Sequence, residues 1–247
     1  DSLTVGTAVK GQLSSSSDVD YFKFTSDGSG TATVSFDSPL NSSLDYFRFT
    51  VFDANGTNLG AYSTGRDLSA DLGISSAGTY YVSLDSPGYY HTDDQYSLTV
   101  SLASGSSAGY ESESNSSTSS ADSLTLGTAI KGQLSSSSDV DYYKFTADGS
   151  GTVTISLDSP LSSSLSYFRF TLYDDSGNDL GSYSTGKDLS ADLGISSAGT
   201  YYIKLDSPSY YHTDKQYSLT ASFAAGSSDG FESESNDTRS SADSLTV

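Results

Sequence analysis

Apolar and polar residues alternate along much of this chain. "GTATVSFDSP" sets Ala32, Val34 and Phe36 on one face at period two. "GTYYVSLDSP" does the same with Tyr80, Val82 and Leu84, and "QYSLTVSL" with Tyr96, Leu98, Val100 and Leu102. "DYFKFTS" offers Phe22 and Phe24. "YFRFTVFDANG" is apolar on both faces and then meets an Asn-Gly turn signal at Asn55–Gly56. Gly, Ser, Asp and Pro punctuate these runs. No segment longer than about ten residues carries the i, i+3, i+4 apolar pattern of a surface helix. The pattern predicts strands throughout.

The pattern is also written twice. "DSLTVGTAVKGQL" begins at Asp1, "DSLTLGTAIKGQL" at Asp122, and "DSLTV" returns at Asp243, a spacing of 121 residues each time. About three-quarters of positions match between the two copies, so one fold is expected for both. Where they differ, the changes look like core swaps. Ala32 becomes Val153 while Phe36 becomes Leu157, and Val5/Leu126, Val9/Ile130, Val34/Ile155 and Val82/Ile203 stay aliphatic. About eight short strands in roughly 100 residues predict an antiparallel sandwich. The expected fold is all-β: two tandem antiparallel β-sandwich domains of jelly-roll-like form. Residues 1–104 form the first repeat, 105–121 a Ser-rich acidic entry segment, 122–225 the second repeat, and 226–247 a linker with the start of a third. That register predicts a piece of a longer tandem array.

Charge changes the functional picture. The 247 residues carry 31 acidic and 11 basic side chains, a net charge of −20. Phosphate neutralisation needs a Lys/Arg surface, so no nucleic-acid partner is expected. An anionic membrane surface is disfavoured for the same reason, and no run has the length of an apolar membrane span. An acidic surface suits solubility and cation binding. Cys, Met and Trp are absent, so there is neither a disulfide framework nor a thiolate metal site. Hydrophobic content is only 34%, but 19 Tyr and 11 Phe supply large buried areas, which predicts a packed protein.

Catalytic motifs are weak. "GSSAG" (Gly105–Gly109) and "GSSDG" (Gly226–Gly230) fit G-x-S-x-G but lie in low-complexity sequence with no helix following. The two histidines, His91 and His212, are one position repeated, so neither repeat has a histidine pair for a metal. No enzyme is expected. "DANGTN" (Asp53–Asn58) and "DDSGND" (Asp174–Asp179) read as hairpin turns. "DVDY" recurs at Asp18–Tyr21 and Asp139–Tyr142. Asp18/Asp20 and Asp139/Asp141 each share one strand face and either ligate a metal or open the strand as turn residues. "SPGYYHTDDQY" and "SPSYYHTDKQY" bring together Tyr89, Tyr90 and His91, then Tyr210, Tyr211 and His212. These form a ligand platform, or one Tyr packs inward.

One segment reads as slack by composition, yet its acceptors alternate. In "GYESESN" Glu111, Glu113 and Asn115 alternate, and "ESESND" returns with Glu232, Glu234, Asn236 and Asp237. In extended backbone such acceptors fall on one side, roughly 7 Å apart. The order of motifs is E-x-E-x-N-D, then G-x-L, D-x-D-Y-Y-x-F, a D-x-x-G hairpin, G-T-Y-Y and Y-S-L-T. In that order the chain resembles the bacterial pre-peptidase C-terminal domain and is similar to the collagen-binding modules of bacterial collagenases. The resemblance implies a β-sandwich on secreted bacterial proteins. It also implies a calcium site in which the acidic entry meets the aspartates before the Y-Y-x-F strand. By position that implicates Glu111, Glu113, Asn115, Asp139 and Asp141, with Asp18, Asp20, Glu232, Glu234, Asn236 and Asp237 as the corresponding residues of the neighbouring registers. The motif's closing Asp is Ser116 in the middle copy, which lowers the expected charge of that site. The functional expectation is a non-catalytic, Ca2+-stabilised tandem repeat of an extracellular bacterial surface or secreted protein, serving as spacer or adhesion segment. Its partners are then the neighbouring repeats. The alternative is a polysaccharide- or matrix-protein-binding module appended to a secreted peptidase or other hydrolase.

Overall fold

The computed structural model describes residues 1–88, 90–107, 109–228, 230–231 and 239–240. The chain divides into two units, Asp1–Ser114 and Asn115–Val247. The cut falls inside the stretch expected to be linker.

Among its described residues the first unit holds eight strands: β1 (Val9–Gly11), β2 (Val19–Ser26), β3 (Gly30–Asp37), β4 (Ser42–Phe52), β5 (Asn58–Gly65), β6 (Leu68–Ile74), β7 (Gly78–Asp85) and β8 (Tyr96–Ser104). They form two four-stranded sheets, ordered β1-β8-β3-β6 and β2-β7-β4-β5. Their pairings are antiparallel. This is a jelly roll, the expected fold.

The alternation decides what is buried. Ala32, Val34 and Phe36 of β3 face Phe47, Phe49 and Val51 of β4 in one core, joined by Phe22, Phe24, Tyr80, Val82, Leu84, Leu98 and Val100. Phe36 packs on Phe47 with ring centroids 4.9 Å apart and on Tyr96 at 5.7 Å. The expected inward faces are therefore the observed ones, except that Val9 and Leu102 are only partly buried and Val5, expected in the core, is exposed. The Asn-Gly turn is also present, and Gly56 takes the φ of +85° that its position requires.

The second unit repeats the plan. A short 3-10 turn (Thr118–Ser120) leads into β9 (Asp122–Ser123), β10 (Ile130–Gly132), β11 (Val140–Ala147), β12 (Gly151–Asp158) and β13 (Ser163–Tyr173). After these come β14 (Asp179–Gly186), β15 (Leu189–Ile195), β16 (Gly199–Asp206) and β17 (Tyr217–Ala225). The sheets are β10-β17-β12-β15 and β14-β13-β16-β11-β9. Val153 and Leu157 are both buried, so the Ala/Phe to Val/Leu exchange does conserve one core. Among the described residues, no helix is long and apolar enough to cross a membrane.

Candidate metal centre

The site is built at the start of β11. Its burial alternates, with Asp141, Tyr143 and Phe145 facing in. Asp141 therefore lies on the core side of the sheet, at its end, and is 0% exposed. Its Oδ2 accepts a hydrogen bond from Tyr217 Oη at 2.5 Å, and the Tyr217 hydroxyl is also hydrogen-bonded to Tyr143 Oη. A buried carboxylate needs such partners, because burial without them is costly.

The acidic segment runs past this strand. Asn115 is 0% exposed, and its carbonyl accepts the Tyr142 amide at 2.9 Å. Its Nδ2 donates to Asp122 Oδ2 at 3.3 Å. Its Oδ1 is buried and has no hydrogen-bond partner. Native proteins rarely leave a buried amide oxygen so placed, since the cost is about 1–3 kcal/mol. Two and four residues earlier stand Glu113 and Glu111. One carboxylate oxygen from each of Glu111, Glu113 and Asp141 lies within 4.8 Å of the others. Oxygens bound to one calcium at 2.3–2.6 Å are at most about 5 Å apart, so the spacing fits. The donor set is oxygen only, as a hard cation prefers.

Asp139 takes a different place. Its Oδ2 accepts the Ser135 amide at 2.6 Å and its Oδ1 the Val140 amide at 2.9 Å, which closes the turn before β11. Asp18 likewise accepts the Ser14 amide at 2.6 Å, and that bond holds its carboxyl below the usual range. The turn-opening reading of "DVDY" thus describes its first aspartate, and the second points inward. Asp20 repeats the inward geometry, accepting from Tyr96 Oη at 2.5 Å. Burial, then Asp20 itself, pushes the Tyr96 phenol far above its ordinary value, so it stays a donor. Gly11 makes this reach feasible, because a Cβ there would sit 2.2 Å from Tyr96 Oη. Asp20 is only partly buried, however. Ser116 is exposed. Glu232, Glu234, Asn236 and Asp237 lie outside the described residues, as does Tyr89.

The Tyr-Tyr-His loops are divided. Tyr90 packs on Tyr46 and Tyr211 on Tyr167, each at 5.3 Å between ring centroids. His91 Nε2 lies 2.7 Å from the Leu13 carbonyl, which fixes the ring to the fold. Tyr210 is 91% exposed with φ +60°, and His212 is exposed. Sequence reasoning did not find Asp122, Tyr143, Tyr217 or Gln133, whose Nε2 donates to the Asp214 carbonyl. One signal was present. Tyr143 stands where the first repeat has Phe22, a hydroxyl added at a core position.

Residues 139–207 match the family model of the bacterial pre-peptidase C-terminal domain. The match begins at the turn aspartate of this site and ends just past β16, so the pre-peptidase C-terminal model covers Asp141 but not the acidic segment. No curated protein matches the chain. Among solved structures, the chain is similar to the pre-peptidase C-terminal domain of a Bacillus anthracis collagenase. Identity is 23%, TM-score 0.32, and the alignment covers 41% of this chain and 93% of that one. It is also similar to tandem CBM51 modules of a family 98 glycoside hydrolase from Streptococcus pneumoniae (11% identity, 89% and 84% covered, TM-score 0.31). A third similar structure is the CBM22 tandem of Xyn10C from Paenibacillus barcinonensis (12% identity, 83% and 82% covered, TM-score 0.29).

Proposed function

We propose that the chain is a non-catalytic accessory module of a secreted bacterial protein, whose second repeat is stabilised by Ca2+ at Glu111, Glu113, Asn115 and Asp141. The match over residues 139–207 supports the module. The convergence of the Glu111, Glu113 and Asp141 oxygens within 4.8 Å is the observation that carries the cation, and the buried, unpartnered Oδ1 of Asn115, two residues after Glu113, supports it. Without a cation the three acids repel one another; a divalent ion reverses the sign of that interaction. The binding energy then orders the acidic segment and adds to the stability of the fold it enters. In this reading the connection between repeats is a fastened strand, and the tandem acts as a spacer. Ser116 contributes no charge, which places the site at weaker affinity than one with a fourth carboxylate.

Thermal melting and small-angle scattering of the whole chain, in Ca2+ and in excess chelator, test this directly. Ca2+ is expected to raise a melting transition and reduce the spread of particle dimensions. Identical curves in both buffers would falsify the calcium reading. Mg2+ serves as a specificity control, because a site of several protein oxygens suits the larger ion.

A further inference from the structure

The two outer faces of each sandwich carry different chemistry. On the β3/β6 side of the first unit the outward residues are small and polar. Ser35 and Ser69 hydroxyls lie 3.0 Å apart, and Thr33 donates to Asp71 at 2.7 Å. The β2-β7-β4 face instead presents rings. Tyr81 stands directly opposite Phe52 on one side and Lys23 on the other, and Tyr21 stands opposite Ser83 one step along. Tyr21 is 58% exposed and Tyr81 37%. With Phe52 and the Asp53–Gly56 turn they line an open cleft of about 520 Å³. That turn is well braced, since Asp53 Oδ1 accepts the amides of Asn55 and Thr57, both at 2.8 Å. The second unit repeats the row in the same registers, with Tyr202 between Tyr173 and Lys144, and Tyr142 opposite Lys204.

Cross-strand aromatic pairing stabilises sheets and accounts for Tyr81 beside Phe52. It does not account for Tyr21, which faces a serine and is the most exposed of the three rings. A contiguous row of exposed rings on one face, opposite strands whose outward side chains are Ser, Thr and Asp with Tyr110 laid on Asp71, marks a surface that meets something.

The occupant follows from charge and shape. A net charge of −20 repels anionic polymers at long range. The rings are flat and spread over three adjacent strands. Polar groups border them: the Arg48 guanidinium is locked to Asp85 by bonds of 3.0 and 2.5 Å, beside Thr50 and Ser83. A pyranose offers an apolar C–H face to stack on such rings and hydroxyls to meet such polar groups. We propose that the aromatic face of β2-β7-β4, and its counterpart on β11-β16-β13, each bind a neutral polysaccharide chain. The assignment does not depend on the calcium reading, and it places the ligand on the sheet, away from the Tyr-Tyr-His loops. Two modest sites on one chain then act together through avidity.

The test is native affinity electrophoresis of the full chain in gels containing xylan, mixed-linkage β-glucan, mannan or pullulan. Alginate and gelatin serve as the anionic and protein probes. At least one neutral polymer should retard the chain. Tyr21→Ala/Tyr81→Ala/Tyr142→Ala/Tyr202→Ala should weaken that retardation at least tenfold, and either pair alone should weaken it less. The matching Tyr→Phe set keeps the rings, so it should keep most of the binding and controls for any loss of folding in the alanine set. Retardation by no neutral polymer, or only by alginate or gelatin, overturns the proposal. So does unchanged binding in the folded quadruple variant, or a loss produced instead by Tyr210→Ala/Tyr211→Ala.

Discussion

The two sandwiches pair their strands in the same registers and bury the same kinds of residue, yet they differ at one end. In the second, Asp141 is fully buried, and the Asn115 carbonyl takes the Tyr142 amide at 2.9 Å. In the first, Asp20 is partly open and accepts from Tyr96 Oη. Leu13, Phe22 and Phe24 are buried nevertheless. The eight strands of the first unit bury that core among themselves. What the acidic segment adds is local: it seals one sheet end and brings carboxylates to a buried aspartate. Among the described residues the converging carboxylates include Asp141 and not Asp20.

The sharpest way to break that contrast is to titrate Ca2+ against variants of the two equivalent aspartates. At a free Ca2+ of 100 times Kd, binding adds about 2.7 kcal/mol to the repeat that holds it. For a domain of this size that is roughly 10 °C in Tm. Asp141→Asn should abolish the Ca2+-dependent shift in calorimetry, and Asp20→Asn should leave it intact. Equal losses in the two variants, or none in either, would show that the two ends do not differ as described.

Next in size is a contrast inside the first repeat. Gly11→Ala puts a methyl group 2.2 Å from Tyr96 Oη, so the Tyr96–Asp20 bond must shift. Overpacking of this kind costs about 1–3 kcal/mol. Nothing lies within 4 Å of a Cβ at Gly28, so Gly28→Ala should stay within about 0.5 kcal/mol of wild type. Urea melts of the two variants decide it, and a neutral Gly11→Ala would mean that the glycine of G-x-L has another purpose.

These cases also show what the sequence could reveal. Period-two alternation placed Val34, Val82 and Leu98 inward, because one buried face per strand is a local signal. The repeat made that reading twice over. Alternation likewise marked Glu111, Glu113 and Asn115 as one face. It could not reveal that Tyr217 reaches Asp141, since 76 residues separate them and only the jelly-roll crossover brings β17 to that corner. Nor could it divide Asp139 from Asp141. Their spacing puts both on one strand face, but Asp139 precedes the strand and spends its oxygens on turn amides. The outward rings Tyr21 and Tyr81 were written into the same alternation, in the slots opposite the core.

A reciprocal exchange sharpens the comparison at about 1 kcal/mol. Tyr143 Oη bonds to Tyr217 Oη, whereas Phe22 leaves Tyr96 with Asp20 alone. Tyr143→Phe should destabilise the second repeat by about 1 kcal/mol, the net worth of a buried hydrogen bond. Phe22→Tyr should be close to neutral, because Tyr96 offers the same acceptor. The two changes read together in denaturant melts test whether the hydroxyl chain belongs to the sealed end; a loss of several kcal/mol in Phe22→Tyr would show that the first repeat cannot accommodate it.

The smallest effect lies in the ion pairs on the aromatic faces. Arg169 donates to both oxygens of Asp206 at 2.9 and 2.6 Å, and Lys204 Nζ stands 2.7 Å from Oδ2. In the first repeat Lys204 is replaced by Ser83, so Arg48 holds Asp85 without that second cation. Burial pushes the Asp206 carboxyl up, but the bonds from Arg169 and Lys204 outweigh it and hold the group below the usual carboxylate range. A carboxyl depressed in the folded state stabilises fully above its unfolded value of about 3.9, and the contribution is lost as pH falls through the folded value. The second repeat should therefore lose this increment below about pH 4. Lys204→Ser gives the second repeat the simpler pair of the first. Partly exposed pairs contribute about 0–1 kcal/mol, so the change in Tm at neutral pH should be about 4 °C at most. Its signature is the slope of stability between pH 4 and pH 2, which should become shallower in the variant. An unchanged slope would assign the depression to Arg169 alone, and the two faces would then be electrostatically alike.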